Sequence, residues 1–132
     1  MKRIDKISLI IAGLMTFFAG ILHFTFFKLF NSAEIRNSLK DSWSLIHPLI
    51  LGSILLSLMV AYISIIHSKE LINTRIGRPL LVSFSLLYII RLVSEFGFMG
   101  YNRIASLMWI FICLIPITIY IRIFVKNLRM ER

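Results

Sequence analysis

The sequence predicts an all-α integral membrane protein, a single bundle of four transmembrane helices, and three observations carry that expectation. Of 132 residues, 58% are hydrophobic and 16% charged, against roughly 25% charged in ordinary soluble domains. Four apolar runs each approach the roughly 20 residues that a helix needs to cross a hydrocarbon core about 30 Å thick. Nearly all the basic residues fall at the ends of those runs. The net charge of +9 therefore reads as a topology signal rather than as a nucleic-acid surface.

The first run, about residues 7–27, follows the basic stretch Met1 to Lys6. It is too long for a secretory leader and has no clear small-x-small cleavage site, so it is read as a retained first span. The polar connection from Lys28 to Leu45 contains Asn31 or Ser32 ahead of Ala33, Glu34, Ile35 and Arg36. That is a helix cap and first turn, predicting a short helix in the membrane interface between spans one and two. The second span covers about residues 46–67 and a basic turn follows from Ser68 to Pro79. The third covers about residues 80–100, a tight turn occupies Tyr101 to Ile104, and the fourth covers about residues 105–125. Residues 1–132 thus form a single membrane domain.

Orientation follows from Lys and Arg in the short loops. Lys2, Arg3, Lys6, Lys69, Arg75, Arg78, Arg122, Lys126, Arg129 and Arg132 lie on one side, ten against the four of Lys28, Arg36, Lys40 and Arg103 on the other. Both termini are therefore expected to face the cytoplasm, in a multi-pass inner-membrane protein. Trp43, Tyr101 and Trp109 sit near the opposite interface, where amphipathic rings are favoured. The lone Cys113 excludes an intramolecular disulfide and a CxxC redox pair.

Most of the unusual polar residues gather near the outward ends of the spans. Arg91 and Glu95 are four apart, share a face with Phe84 and Tyr88, and can pair directly. Ionisable groups inside a membrane are costly and turn towards the bundle interior. Two readings stay open for this pair: an ion pair that only fixes the bundle geometry, or a site in which the Arg91 fork holds a carboxylate or phosphate. His23 lies on the stripe Gly13, Thr16, Gly20, His23, whose small residues let a neighbouring helix approach. His47 precedes Pro48 at a helix start, and His67 sits apart, beside Lys69 and Glu70. Arg91, Glu95, His23, His47, Tyr88 and Trp109 are the candidate ligand-binding residues, with no catalytic residue among them. His23, His47 and Glu95 have the composition of a two-histidine, one-carboxylate metal site, and His23 with His47 could serve a haem b as axial ligands with Arg91 at a propionate. Neither set has a diagnostic motif, so no cofactor is assigned. The stripe Ser53, Ser57, Ser64 and the face Trp109, Cys113, Pro116, Tyr120 read as packing, with a kink expected at Pro116.

The run from His47-Pro48 through Thr74 and Gly77-Arg78-Pro79-Leu80 to Arg91-Leu92 and Glu95 resembles a group of small four-helix bacterial inner-membrane proteins of unassigned function. The resemblance covers spans two to four and implies architecture only. Small multidrug transporters are similar in size but carry their essential glutamate in span one, where this chain has none. The membrane-associated eicosanoid and glutathione enzymes carry an Arg, Asn and Glu set that span two lacks here.

Three function classes follow. The favoured one is a non-catalytic membrane component that binds a lipid or small anion at the outward polar cluster. Its partners would be membrane lipids, another copy of the chain or a membrane partner subunit. The others are a small transporter or channel working as an oligomer, and a histidine-based metal or haem protein.

Overall fold

The computed structural model describes residues 2–30, 43–98 and 103–129, and side chains for residues 3–25, 46, 48–94 and 107–129. Among these the chain is all helix, without strands. The helices are α1 (Lys2–Phe30), α2 (Trp43–Ile66), α3 (Ser68–Asn73), α4 (Gly77–Phe98) and α5 (Arg103–Arg129). Four are long and apolar enough to cross a membrane, over Arg3–Thr25, Pro48–Ile66, Gly77–Ser94 and Leu107–Arg129. At 1.5 Å per residue these stretches of 18 to 23 residues are about 27 to 35 Å long. The expected interfacial helix, and the turn at Tyr101 to Ile104 apart from its last two residues, lie outside the described residues.

Helix α1 turns a stripe of mostly small and polar residues inward, α4 and α5 turn mainly large ones inward, and every long helix carries a row of large apolar residues on its outer face. On α1, Asp5, Leu9, Ala12, Thr16 and Ala19 are buried, while Ile7, Ile11, Leu14, Phe18 and Ile21 are exposed. A helix that is apolar on both faces has no solvated side to offer water.

Helix α1 packs against α2 and α5, and α5 packs against α4. Glycines set the α1–α2 distance: a β-carbon at Gly13 would lie 2.6 Å from Ile65 Cγ1 and 3.1 Å from Ser64 Cβ, and one at Gly20 would lie 3.3 Å from Ser57 Cβ. The close approach predicted for the Gly13–Gly20 stripe is present, with Ser57 and Ser64 opposite it, whereas Ser53 is exposed. Along the fourth side of the bundle, the described parts of α2 and α4 make at most glancing contact.

The segment expected as a basic turn from Ser68 to Pro79 is instead a one-and-a-half-turn helix, α3, followed by a bend. Leu71 and Ile72 of α3 are buried, and that burial offsets the small intrinsic stability of so short a helix. The bend is built by Thr74, whose hydroxyl donates to the Glu70 carbonyl at 2.7 Å and accepts from the Gly77 amide at 3.1 Å. A side chain at Gly77 would collide with the Leu71 backbone. Pro79 occupies the first turn of α4, where a missing amide hydrogen costs nothing.

The core is aromatic and diagonally tied. Phe84 meets Tyr120 edge-on at 5.6 Å, and Tyr88 stacks on Tyr120 at 6.3 Å. The Tyr88 hydroxyl donates to Thr16 Oγ1, joining α4 to α1, and Ser64 Oγ pairs with the Tyr120 hydroxyl at 2.9 Å, joining α2 to α5. Trp109, Cys113, Pro116 and Tyr120 are all buried on one face of α5, which continues as a helix through Pro116. At the end that carries α3, Asp5 of α1 is 2% exposed, paired with Lys126 and 3.6 Å from Arg122 of α5. Lys6, Lys69, Arg78, Lys126 and Arg129 belong to this same end of the bundle.

Candidate functional site

Where α2 and α4 part, a cleft of about 240 Å³ enters the bundle between them. Its floor is formed by α1 and α5, through Thr16, Ala19, His23, Trp109 and Cys113. Its walls are Ser53, Leu56, Ser57 and Val60 of α2, and Leu87, Tyr88, Ile90, Arg91 and Ser94 of α4. The Thr16–Tyr88 tie lies at its inner limit.

The half of the cleft away from α3 is organised around one indole. Arg91 Cζ lies 4.6 Å from the centre of the Trp109 ring, within cation–π range. From α1, His23 meets the same ring edge-on at 5.5 Å. Trp109 is 4% exposed, so a rigid buried plate fixes a guanidinium and an imidazole that come from two other helices. The sequence placed these three residues and Tyr88 at one site, and the structure brings all four to one cleft. The side chains of Glu95 and His47 lie outside the described residues, so the direct Arg91–Glu95 pair and the trio of His23, His47 and Glu95 do too. Among the described residues, no three His, Cys, Asp or Glu side chains are grouped to hold a metal ion. His67, expected to stand apart, is exposed, 3.8 Å from Glu70 and edge-on to Tyr62 at 5.5 Å.

The polarity of the cleft is more specific than its residue types suggest. His23 Nδ1 donates to the Ala19 carbonyl at 2.7 Å, so in the neutral ring Nε2 is the acceptor. Ser53 donates to Leu49 O at 2.9 Å, Ser57 to Ser53 O at 2.8 Å, and Ser94 to Ile90 O at 2.8 Å. Each hydroxyl has thereby committed its one hydrogen and keeps acceptor lone pairs. Arg91 is the opposite, a planar fork of five donors with no acceptor. A guanidinium that meets a carboxylate on one edge still offers donors on the other, so the cleft combines one dense source of donors with several scattered acceptors.

Sequence reasoning placed Ser53, Ser57 and Cys113 in packing and did not single out Ser94, yet all four line the cleft. Their signal was weak because a serine bonded back onto its own helix is common in membrane spans. The buried Asp5 was also missed. It is the one carboxylate among the basic residues at the start of the chain and stands four residues before the inward Leu9, a spacing that puts both on one face.

Compared with protein-family models, with characterised proteins and with solved structures, the chain matches none of them.

Proposed function

We propose that the chain is a multi-pass protein of a bacterial inner membrane, with both termini in the cytoplasm, and that it works as a non-catalytic component that holds the anionic group of a lipid or small acid in its outward cleft. The observation that carries this reading is the convergence of Arg91, Trp109 and His23, from three helices, on one cavity. A guanidinium is the side chain best matched to a carboxylate or phosphate, and here it lies over the Trp109 indole. The membrane setting is supported by the outward rows of Ile, Leu and Phe. The orientation is supported by the gathering of basic side chains at the α3 end, opposite the cleft. Lipids are the natural partners, with a second copy or a membrane subunit able to cover part of the apolar exterior.

Reporter fusions after Lys40 and at Arg132 test the setting: the first should report the outer side and the second the cytoplasm, and two cytoplasmic reports would overturn it. Anion binding is tested on the purified Trp43→Phe protein, which retains Trp109 as its single tryptophan. Titration with inorganic phosphate should change Trp109 emission saturably, and Arg91→Gln should abolish that change while the helical circular dichroism stays intact. A response identical in Arg91→Gln contradicts the reading.

A further inference from the structure

The cleft differs from a generic anion site in where it opens and in which hydrogen-bonding groups it presents. It opens sideways. The described parts of α2 and α4 do not pack across it, and Leu56 and Ile90, which line it, are also 42% and 62% exposed on the outer surface. An apolar mouth between two membrane-length helices faces lipid chains, not water. Its volume of about 240 Å³ lies below the roughly 300–1,000 Å³ of pockets that enclose a whole small ligand. A headgroup and its first methylenes fit; a complete two-chain lipid does not.

The hydrogen-bond pattern narrows the headgroup. A plain anion such as a sulfonate or carboxylate satisfies Arg91 but faces acceptor with acceptor at Ser53, Ser57 and Ser94. A headgroup that carries hydroxyl hydrogens beside its charge satisfies both. Its anionic oxygens take Arg91 donors, and its hydroxyls donate to the serine oxygens. These groups occupy the outward half of the cleft, and the apolar mouth lies beside them, so an attached chain has a direct path out between Leu56 and Ile90.

We propose that the cleft between α2 and α4 admits from the side an anionic amphiphile with a hydroxyl-bearing phosphate headgroup, a glycerol phosphate on a single chain, which Arg91 holds by its phosphate and the serine acceptors hold by its hydroxyls. The proposal rests on the anion-binding reading above and adds the chain and the hydroxyls.

The test uses the Trp43→Phe protein in nanodiscs of neutral phosphatidylcholine, with Trp109 emission as the readout and three probes. Monoacyl lysophosphatidylglycerol has charge, hydroxyls and chain; sn-glycerol 3-phosphate lacks the chain; dodecanesulfonate, kept at low mole fraction, lacks the hydroxyls. The lysophospholipid is expected to saturate the response at least about tenfold more tightly than either other probe, the worth of roughly two buried methylenes or one well-made hydrogen bond. Ile90→Phe, which narrows the mouth and leaves every acceptor in place, should weaken the lysophospholipid and leave glycerol phosphate within about threefold, since Ile90 is 62% exposed and a larger ring there meets no packed neighbour. If glycerol phosphate binds as tightly as the lysophospholipid, the lateral chain path is wrong and the anion site stands. If dodecanesulfonate binds as tightly, the hydroxyl pairing is wrong and the anion site again stands. If no probe responds, or Arg91→Gln binds all three unchanged, the underlying anion-binding reading fails with the proposal.

Discussion

The phenolic hydroxyl of Tyr88 on α4 donates to the hydroxyl of Thr16 on α1, and Thr16 in turn donates to the Ala12 carbonyl at 2.7 Å. The pair ties two helices that are not neighbours in the ring and closes the inner end of the cleft. The two partners are not equivalent. Tyr88→Phe leaves Thr16 with its own hydrogen still bonded and only an acceptor lone pair unfilled, whereas Thr16→Val leaves the Tyr88 hydrogen buried without its acceptor. Tyr88→Phe should cost about 0.5–1 kcal/mol and Thr16→Val about 1–3 kcal/mol, ranked by unfolding in mixed detergent. The reverse order would show that the Tyr88 hydroxyl donates elsewhere.

At the opposite end, the buried Asp5 carboxylate is held by Lys126 and flanked by the half-exposed Arg122. Replacing one member of a buried pair strands the other, while replacing both can be harmless. Lys126→Met should therefore destabilise by roughly 3 kcal/mol, less whatever Arg122 recovers by moving in. The double change Asp5→Leu with Lys126→Met should restore stability to within about 1 kcal/mol of the parent. Additive losses in the double variant would mean that the two side chains do not act as a pair.

Two glycines on neighbouring helices predict opposite behaviour. A methyl group at Gly13 meets Ile65, Ser64 and the Ala61 carbonyl, whereas at Gly52 nothing lies within 4 Å. Gly13→Ala should lose about 1–3 kcal/mol by forcing α1 from α2, and Gly52→Ala should be neutral or gain up to about 1 kcal/mol through helix propensity. Equal effects in thermal unfolding would mean that α1 and α2 do not meet at Gly13.

The four long helices were legible because a membrane-length apolar run has few alternative folds. The inward stripe of α1 was legible because Gly13 and Gly20 are useful only where another backbone comes close. Arg91 and His23 stood out through the cost of placing them among Ile and Leu. Other features depend on the partner and not on the residue. Nothing in Ser53 or Ser57 says that a gap lies across from them, because the gap is a property of how α2 and α4 are placed, and α3, the helix that joins them at one end, has six residues and is too short to show periodicity. Asp5 was hidden for a related reason: its burial is decided by Lys126, 121 residues along the chain.

Arg91 can hold an anion or merely neutralise a carboxylate for insertion, and the double replacement of Arg91 and Glu95 by leucine tells the two roles apart. Removing both charges leaves neither in an apolar span without its counter-charge, so the variant should insert and unfold like the parent, to within about 1 kcal/mol. Phosphate titration of its Trp109 emission, in the Trp43→Phe background, is then the deciding measurement. A stable protein with no saturable response is expected if Arg91 holds the anion. A double variant that is stable and still binds phosphate with the parent's affinity would contradict it and leave Arg91 with an architectural role alone.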